Sequence, residues 1–263
     1  MVDKVKIMGT LSQMTETPLF HLFGASKELF HSNFLYWLSL QNQKEFLKVV
    51  CPSFTPTDHV RIERERNVSH QGVHAKLDFF IVNSNDEVAV IENKVKDYAD
   101  SKQIGRIQNS VQHYDCSYFV LLTLFKAPAL TFPNWEIIDY RELSRRIVPA
   151  NFTKDSYHRD LIADYKAFTL LLAEFAELLG VSEKYDFAIQ QEPDLFDMLS
   201  RHKLWEGYQK MRSSHLLMKY NSDYNPGDVQ TCYGINHQKA TIDFFIKTKN
   251  ASIGIQIEND QYR

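Results

Sequence analysis

The chain has 263 residues, 44% of them hydrophobic and 24% charged, which is ordinary for a soluble globular protein with a substantial core. That length allows one large domain or two smaller ones. The net charge of −3 gives no overall electrostatic case for nucleic-acid binding, so any DNA-binding surface has to be a local patch.

The three cysteines, Cys51, Cys116 and Cys232, are far apart and have no metal-ligand spacing. Their odd number and wide separation indicate a reducing cytoplasm and no disulfide framework. The N-terminus has no basic-then-apolar signal, and no apolar run reaches about 18 residues. The sequence therefore predicts a cytoplasmic protein with no membrane partner.

The first 150 residues alternate between helical and strand patterns. A helix is predicted over "SKELFHSNFLYWLSL", with Ser26 as its N-cap. Three strands follow, over His59–Val68, Lys76–Val82 and Glu87–Asn93. A helix from Ser101, a buried strand over Tyr118–Phe125 and a further strand, "WEIIDY", complete the series. This order predicts an α/β (α+β mixed sheet) fold, a central mixed β-sheet flanked by helices.

The second half is mainly helical. "DLIADYKAFTLLLAEFAELLG" predicts a long amphipathic helix, and a second helix is predicted from Pro193 or Asp194. "ATIDFFIKTKNASIGIQIEND" predicts a terminal β-hairpin. We expect residues 1–150 to form the core and residues 151–263 to form a helical region with that hairpin, either packed on the core or contributing to substrate selection.

The hairpin "AKLDFFIVNSNDEVAVIENK" contains charges where an apolar strand pair is expected. Burying a charge is unfavourable unless the charge is paired or binds a metal. Opposed residues in an antiparallel hairpin have a constant index sum, and a sum of 170 places Asp78 opposite Glu92. The loop is then Ser84-Asn85-Asp86, which suits a turn that needs a positive φ. Glu92 and Lys94 share a face, and Asn93 points to the other.

Two carboxylates and a lysine in this arrangement are suited to metal-assisted hydrolysis. Mg²⁺ prefers one or two carboxylates together with waters and phosphate oxygens, and the backbone carbonyl of Asn93 could add a ligand. Lys94 could orient or deprotonate the attacking water or offset charge in the transition state. The alternative is a solvated strand end at which Lys94 simply pairs with Glu92.

These residues resemble the motif of the PD-(D/E)XK nuclease superfamily. The motif is Leu77-Asp78 followed by Glu92-Asn93-Lys94, with leucine in place of the usual proline. The superfamily core, a helix, three strands, a helix and a strand, has the order predicted above. The resemblance implies that Asp78, Glu92 and Asn93 bind Mg²⁺, for which Mn²⁺ can substitute, and that Lys94 is catalytic.

Two flanking stretches resemble a defence-associated branch of this superfamily. "ELFHSNFLYWL" is similar to its first helix and implies a site role for Glu28; "DYADSKQIGRI" is similar to the stretch after the motif lysine and implies one for Gln103. "SLQNQKEF" departs from the expected aspartate-proline turn. The resemblance implies an endonuclease acting on DNA in defence against foreign DNA, and a homo-oligomer is compatible with it. The alternatives are an inactive module that binds nucleic acid or a partner protein, and an enzyme acting on another phosphate ester.

Basic residues near the motif are candidates for nucleic-acid binding. Lys96, Lys102 and Arg106 could meet backbone phosphates, which supply most non-specific affinity. A solvated helix face explains them nearly as well. His31 shares a helix face with Glu28, and the expectation for it is an ordinary helix-surface residue.

The terminal hairpin is a near echo of the first one. Asp243 and Glu258 could oppose each other across a two-residue turn, Asn250-Ala251. Asp260 occupies the place of the motif lysine, and a third acid there would repel the other two. We expect a structural hairpin and assign the chemistry to the first hairpin.

Overall fold

The chain divides into two compact units. The computed structural model describes residues 4–57, 59–95, 101–114, 116–124, 132–178, 193–201, 205, 208, 229–236, 239–249, 251–258 and 261–262. The larger unit comprises Gly9–Lys126 and Leu130–Glu177, and the smaller unit comprises the rest. The larger unit therefore runs to Glu177, whereas the sequence expectation ended the core at residue 150.

The helices are α1 (Lys4–Thr15), α2 (Pro18–Gln41), α3 (Gln43–Val50), α4 (Ser101–Ser110), α5 (Tyr140–Arg146), α6 (Pro149–Phe152), α7 (Ser156–Leu178) and α8 (Pro193–Arg201). Pro18 is at the start of α2, where a missing N–H is tolerated. Because α2 begins there, Ser26 lies inside the helix, and the prediction that it is the N-cap is wrong. Among the described helices, none combines the length and apolar character needed to span a bilayer.

The larger unit contains a five-stranded mixed sheet. Its strands are β1 (Val60–His70), β2 (Val73–Asn83), β3 (Val88–Lys94), β4 (Cys116–Thr123) and β5 (Trp135–Asp139), in that spatial order. The first three strands are antiparallel neighbours, and β3, β4 and β5 are parallel. The predicted α/β fold with a central mixed sheet flanked by helices is confirmed.

The turn between β2 and β3 has the predicted length and register. Pairs from Phe79 with Ile91 to Val82 with Val88 all have the index sum 170. The Asn83 N–H donates to the Glu87 carbonyl at 3.2 Å, which closes a three-residue loop. Asp86 has a φ of 60°, a conformation that aspartate tolerates better than most residues.

The two faces of this sheet pack against different helices. On one face, Val88 and Val90 of β3 lie in a core cluster with Ile104 and Ile107 of α4. On the other, Phe79 of β2 contacts Phe46 of α3, with ring centroids 6.0 Å apart. Residues that alternate along β3 are therefore buried in two separate layers, as expected for a central strand.

A local irregularity in β1 lies next to Asp78. Glu65 has a φ of 53°, which is unusual inside a strand. Arg64 pairs with Phe79 and Arg66 with Leu77, so the register is the same on both sides of Glu65. A residue in this conformation is strained by about 1–2 kcal/mol, and strain of this kind clusters at functional sites.

The smaller unit contains an antiparallel sheet of β6 (Gln230–Asn236), β7 (Lys239–Lys247), β8 (Ser252–Glu258) and β9 (Gln261–Tyr262). The predicted hairpin is β7–β8, but its expected register is wrong: Asp243 pairs with Gln256, and Glu258 pairs with Thr241. The Thr248 side chain accepts from the Ala251 N–H at 3.1 Å, so the turn comes one residue earlier than predicted, between Thr248 and Ala251. Asp260 lies outside the described residues.

Candidate functional site

The carboxyl end of β3 carries three of the motif residues, Glu92, Asn93 and Lys94, and Asp78 lies on the neighbouring strand β2. Glu92 and Lys94 interact with each other and, through Gln103, with α4, whereas the Asn93 side chain contacts α2 and α5. This separation follows from the alternation of side chains along a strand. In α/β sheets, ligands bind beyond the carboxyl ends of the strands, and this site lies there.

Glu92 and Lys94 form a buried ion pair. Lys94 Nζ lies 2.9 Å from Glu92 Oε1, and the two side chains are only 13% and 5% exposed. Gln103 Nε2 of α4 donates to the same Glu92 oxygen at 2.8 Å. Glu92 is thus held by a cation from its own strand and by an amide from the helix that covers it, so its carboxylate has a fixed orientation.

Asp78 is held by the backbone of β3. The Asn93 N–H donates to Asp78 Oδ2 at 2.7 Å. If the register with index sum 170 continued, Asn93 would lie opposite Leu77, and its N–H would face the backbone of β2. The Asp78 side chain accepts this N–H instead. The N–H and C=O of a strand residue face the same neighbouring strand. The Asn93 carbonyl therefore faces the Asp78 side, while the Lys94 carbonyl accepts from Leu124 N–H on the other side at 2.9 Å.

The Asn93 side chain is buried between two helices. Its Nδ2 donates to Ser32 Oγ of α2 at 3.1 Å, and its Oδ1 accepts from the Tyr140 hydroxyl of α5 at 2.7 Å. All three residues are at most 4% exposed. Polar groups this deeply buried are tolerated because they are paired, and together they fix Asn93.

His31 is buried beside this cluster. Its Nδ1 and the Tyr165 hydroxyl of α7 share a hydrogen bond of 3.0 Å. Burial lowers the pKa of His31 from 6.5 to about 3 and raises the pKa of Tyr165, so both rings are neutral. The His31 ring also lies 4.9 Å from that of Tyr140, measured between centroids. The expectation of an ordinary helix-surface histidine is wrong.

The structure describes some of the predicted site residues and not others. Asp78, Glu92, Asn93, Lys94 and Gln103 come together as described above. Glu28 is in α2, but its side chain is outside the described part, as is the Lys102 side chain in α4. Lys96 also lies outside the described residues.

Arg106 is the described member of the predicted basic group. It is exposed on α4, one turn after Gln103. It lines a groove of about 500 Å³ whose other lining residues belong to β1 and β2, among them Val68, Ala75 and Lys76. Within the described part of the chain, no acidic side chain forms an ion pair with Arg106.

Sequence patterns did not reveal two residues that hold the site, Ser32 and Tyr140. The only local sign for Ser32 is a weak one: it shares a face of α2 with Glu28. Tyr140 ends the "WEIIDY" stretch and gives no sign that its hydroxyl reaches Asn93. Both contacts arise only when the helices cover the sheet.

The oxygen atoms of Asp78, Glu92 and Asn93 would suit one particular class of metal ion. Within the described ranges, no three His, Cys, Asp or Glu side chains are grouped as a metal site, whereas a structural zinc site uses four such ligands. Mg²⁺ needs only one or two carboxylates, because it keeps waters and shares phosphate oxygens with a substrate. Asp78, Glu92 and the Asn93 carbonyl supply hard oxygens of this kind, which also suit Mn²⁺.

Comparisons of the chain with protein-family models, with curated proteins and with solved structures gave no match. A function for this site must therefore follow from its own residues and distances. Those are the buried Lys94–Glu92 pair and the Asp78 carboxylate on the neighbouring strand, which accepts the backbone N–H of Asn93.

Proposed function

We propose that the protein is a Mg²⁺-dependent nuclease that hydrolyses phosphodiester bonds, with DNA as the first candidate substrate. The observation that carries the proposal is the buried Lys94–Glu92 pair next to Asp78. A buried ion pair often contributes no more stability than apolar residues of similar size would. Its position at a strand end, beside a second carboxylate, therefore favours a chemical role over a structural one.

Each residue has a specific part in this reaction. Asp78, Glu92 and the Asn93 carbonyl would hold Mg²⁺. When bound, the ion would lower the pKa of its water and place a positive charge opposite the phosphate. The Lys94 ammonium would orient the attacking water or offset the charge that develops on the phosphate oxygens. Gln103 would hold Glu92 in its orientation.

The resemblance to the PD-(D/E)XK motif supports the same reaction, since the residues that match it are those that converge here. Arg106 supports a polymeric substrate. It is exposed about 4.5 Å along α4 from Gln103, estimated from the helical rise. A guanidinium at that position can contact a phosphate neighbouring the one that is cleaved.

The test is a cleavage assay with supercoiled plasmid, linear duplex, single-stranded DNA and RNA, each in Mg²⁺, in Mn²⁺ and in chelator. Asp78→Asn removes one carboxylate of the site. Asp86→Asn is the matched control, because it removes a carboxylate from the turn of the same hairpin, where asparagine tolerates the positive φ.

We expect the wild type and Asp86→Asn to cleave at least one polymer in Mg²⁺ and not in chelator. Asp78→Asn should be slower by about 100-fold or more. Cleavage that persists in chelator, or an Asp78→Asn variant as fast as the wild type, would contradict the proposal. No cleavage of any substrate would favour a module that binds nucleic acid or a partner protein without catalysis.

A further inference from the structure

We infer that Tyr140 and Ser32 are positioning residues for the metal site, acting through Asn93. The inference rests on the proposed function, because it concerns the same site. Asn93 contributes through its backbone: its N–H fixes the Asp78 carboxylate at 2.7 Å, and its carbonyl faces the same side. Whatever fixes Asn93 therefore fixes two of the oxygens that would hold the ion.

The side chain of Asn93 provides that fixation. Tyr140 donates to its oxygen at 2.7 Å, and its nitrogen donates to Ser32 at 3.1 Å, so each end of the amide is held by a different helix. The two bonds also determine which way the amide group is turned, since only the oxygen can accept from Tyr140 if the tyrosine donates. Asn93 cannot rotate about its strand without breaking one of them.

The two helices that supply these bonds are themselves held in place. Tyr140 is the first residue of α5, and Asp139 caps that helix by accepting the Glu142 N–H at 2.7 Å. β5 leads directly into α5, so the Tyr140 hydroxyl is placed by the strand-to-helix junction. Ser32 lies in α2, where it is 4% exposed.

A metal ligand depends on the groups that orient it, and removing such a group typically weakens metal binding by about 10–100-fold. Deleting the Tyr140 hydroxyl leaves the Asn93 oxygen without that donor. The end of β3 can then shift, and the Asn93 N–H and carbonyl shift with it. We therefore expect Tyr140→Phe to weaken metal binding without removing any metal ligand.

The experiment measures Mn²⁺ binding by calorimetry and by the loss of the free-ion electron paramagnetic resonance signal. Wild type, Tyr140→Phe and Ser32→Ala are compared in the presence of a non-hydrolysable DNA analogue. Tyr165→Phe is the matched control, because it also deletes one fully buried tyrosine hydroxyl, but the hydroxyl bonds His31 instead of Asn93. Asp78→Asn reports the loss of a direct ligand.

We expect Tyr140→Phe to bind Mn²⁺ about tenfold more weakly than wild type, and Tyr165→Phe to stay within about twofold. Ser32→Ala, the second variant, should also bind Mn²⁺ more weakly than wild type, as Tyr140→Phe does. If wild type binds Mn²⁺ and both Asn93-contacting variants bind it equally well, the positioning role is overturned while the proposed function stands. If wild type binds no Mn²⁺, or Asp78→Asn binds as tightly as wild type, the metal site itself is overturned and the positioning role with it.

Discussion

The Lys94–Glu92 pair gives the first prediction at the scale of single residues. Removing Lys94 leaves the Glu92 charge buried with Gln103 as a neutral donor, which destabilises the fold. In chelator, we expect Lys94→Met to lower the free energy of unfolding by about 3 kcal/mol, and the double variant with Glu92→Gln to recover most of it. Urea unfolding measures both. A double variant no more stable than Lys94→Met would show that the unpaired Glu92 charge is not the cause of the lost stability.

His31 makes a second prediction, on pH. Its pKa is lowered to about 3 in the folded protein but is near 6.5 in the unfolded chain. Between these values the unfolded state binds more protons, so stability falls as the pH drops through this window. From pH 7 to pH 5, His31 alone should remove about 2 kcal/mol.

The measurement is urea unfolding at both pH values for wild type and His31→Phe. Other groups titrate equally in the two proteins, so the difference between their pH dependences isolates His31. The variant should lose about 2 kcal/mol less than wild type on acidification. Equal losses would mean that the buried ring accepts a proton without penalty.

The sequence could predict the β2–β3 register and the shared face of Glu92 and Lys94, because strand alternation and one index sum determine both. The expected opposition of Asp78 and Glu92 lies beyond the β2–β3 ladder, which ends at Phe79 and Ile91. The sequence could not predict Ser32 and Tyr140. Their hydroxyls meet Asn93 across 61 and 47 residues of chain. No local pattern encodes such a contact, which depends on how α2 and α5 cover the sheet. For the same reason, the sequence did not indicate that His31 is buried.

At the scale of elements, Glu65 makes a prediction that opposes strand propensity. Valine is favoured over asparagine in an ordinary strand, but a β-branched residue is disfavoured at a φ of 53°. We expect Glu65→Val to be less stable than Glu65→Asn by about 1 kcal/mol. Glu63, on the same strand, is the control position, and there the order should reverse. The measurement is the free energy of unfolding of the four variants by chemical denaturation. If the valine variant is the more stable one at both positions, the strain at Glu65 is contradicted.

The two hairpins show what determines a register. In β2–β3, the Asn83 side chain accepts from the N–H groups of Asn85 and Glu87, and Asp86 takes the positive φ, so the turn residues fix the loop. In β7–β8, Thr248 fixes the turn through its side chain, one residue before the predicted position. The sequence predicted the position of the turn where asparagine and aspartate fix it, and it did not where a threonine side chain fixes it.

At the scale of the whole molecule, the order of elements predicted the mixed sheet and the helices that flank it. It ended the core at residue 150, because α7 reads as the start of a helical region, whereas the larger compact unit runs to Glu177. In the structure, Tyr165 of α7 bonds His31 of α2, so α7 belongs to the layer that covers the site. A long amphipathic helix carries no local sign of which layer it covers.

The most direct test of the central claim asks whether Lys94 acts in chemistry or only pairs with Glu92. The measurement is the single-turnover rate of cleavage in Mg²⁺, on the best substrate, for wild type, Lys94→Met and Lys48→Met. Lys48 is the control, an ion-paired lysine whose ammonium lies 3.2 Å from Glu45 of the same helix. We predict a fall of about 100-fold or more for Lys94→Met and no change for Lys48→Met. A folded Lys94→Met protein that cleaves at the wild-type rate would contradict the claim and leave the pair a structural one.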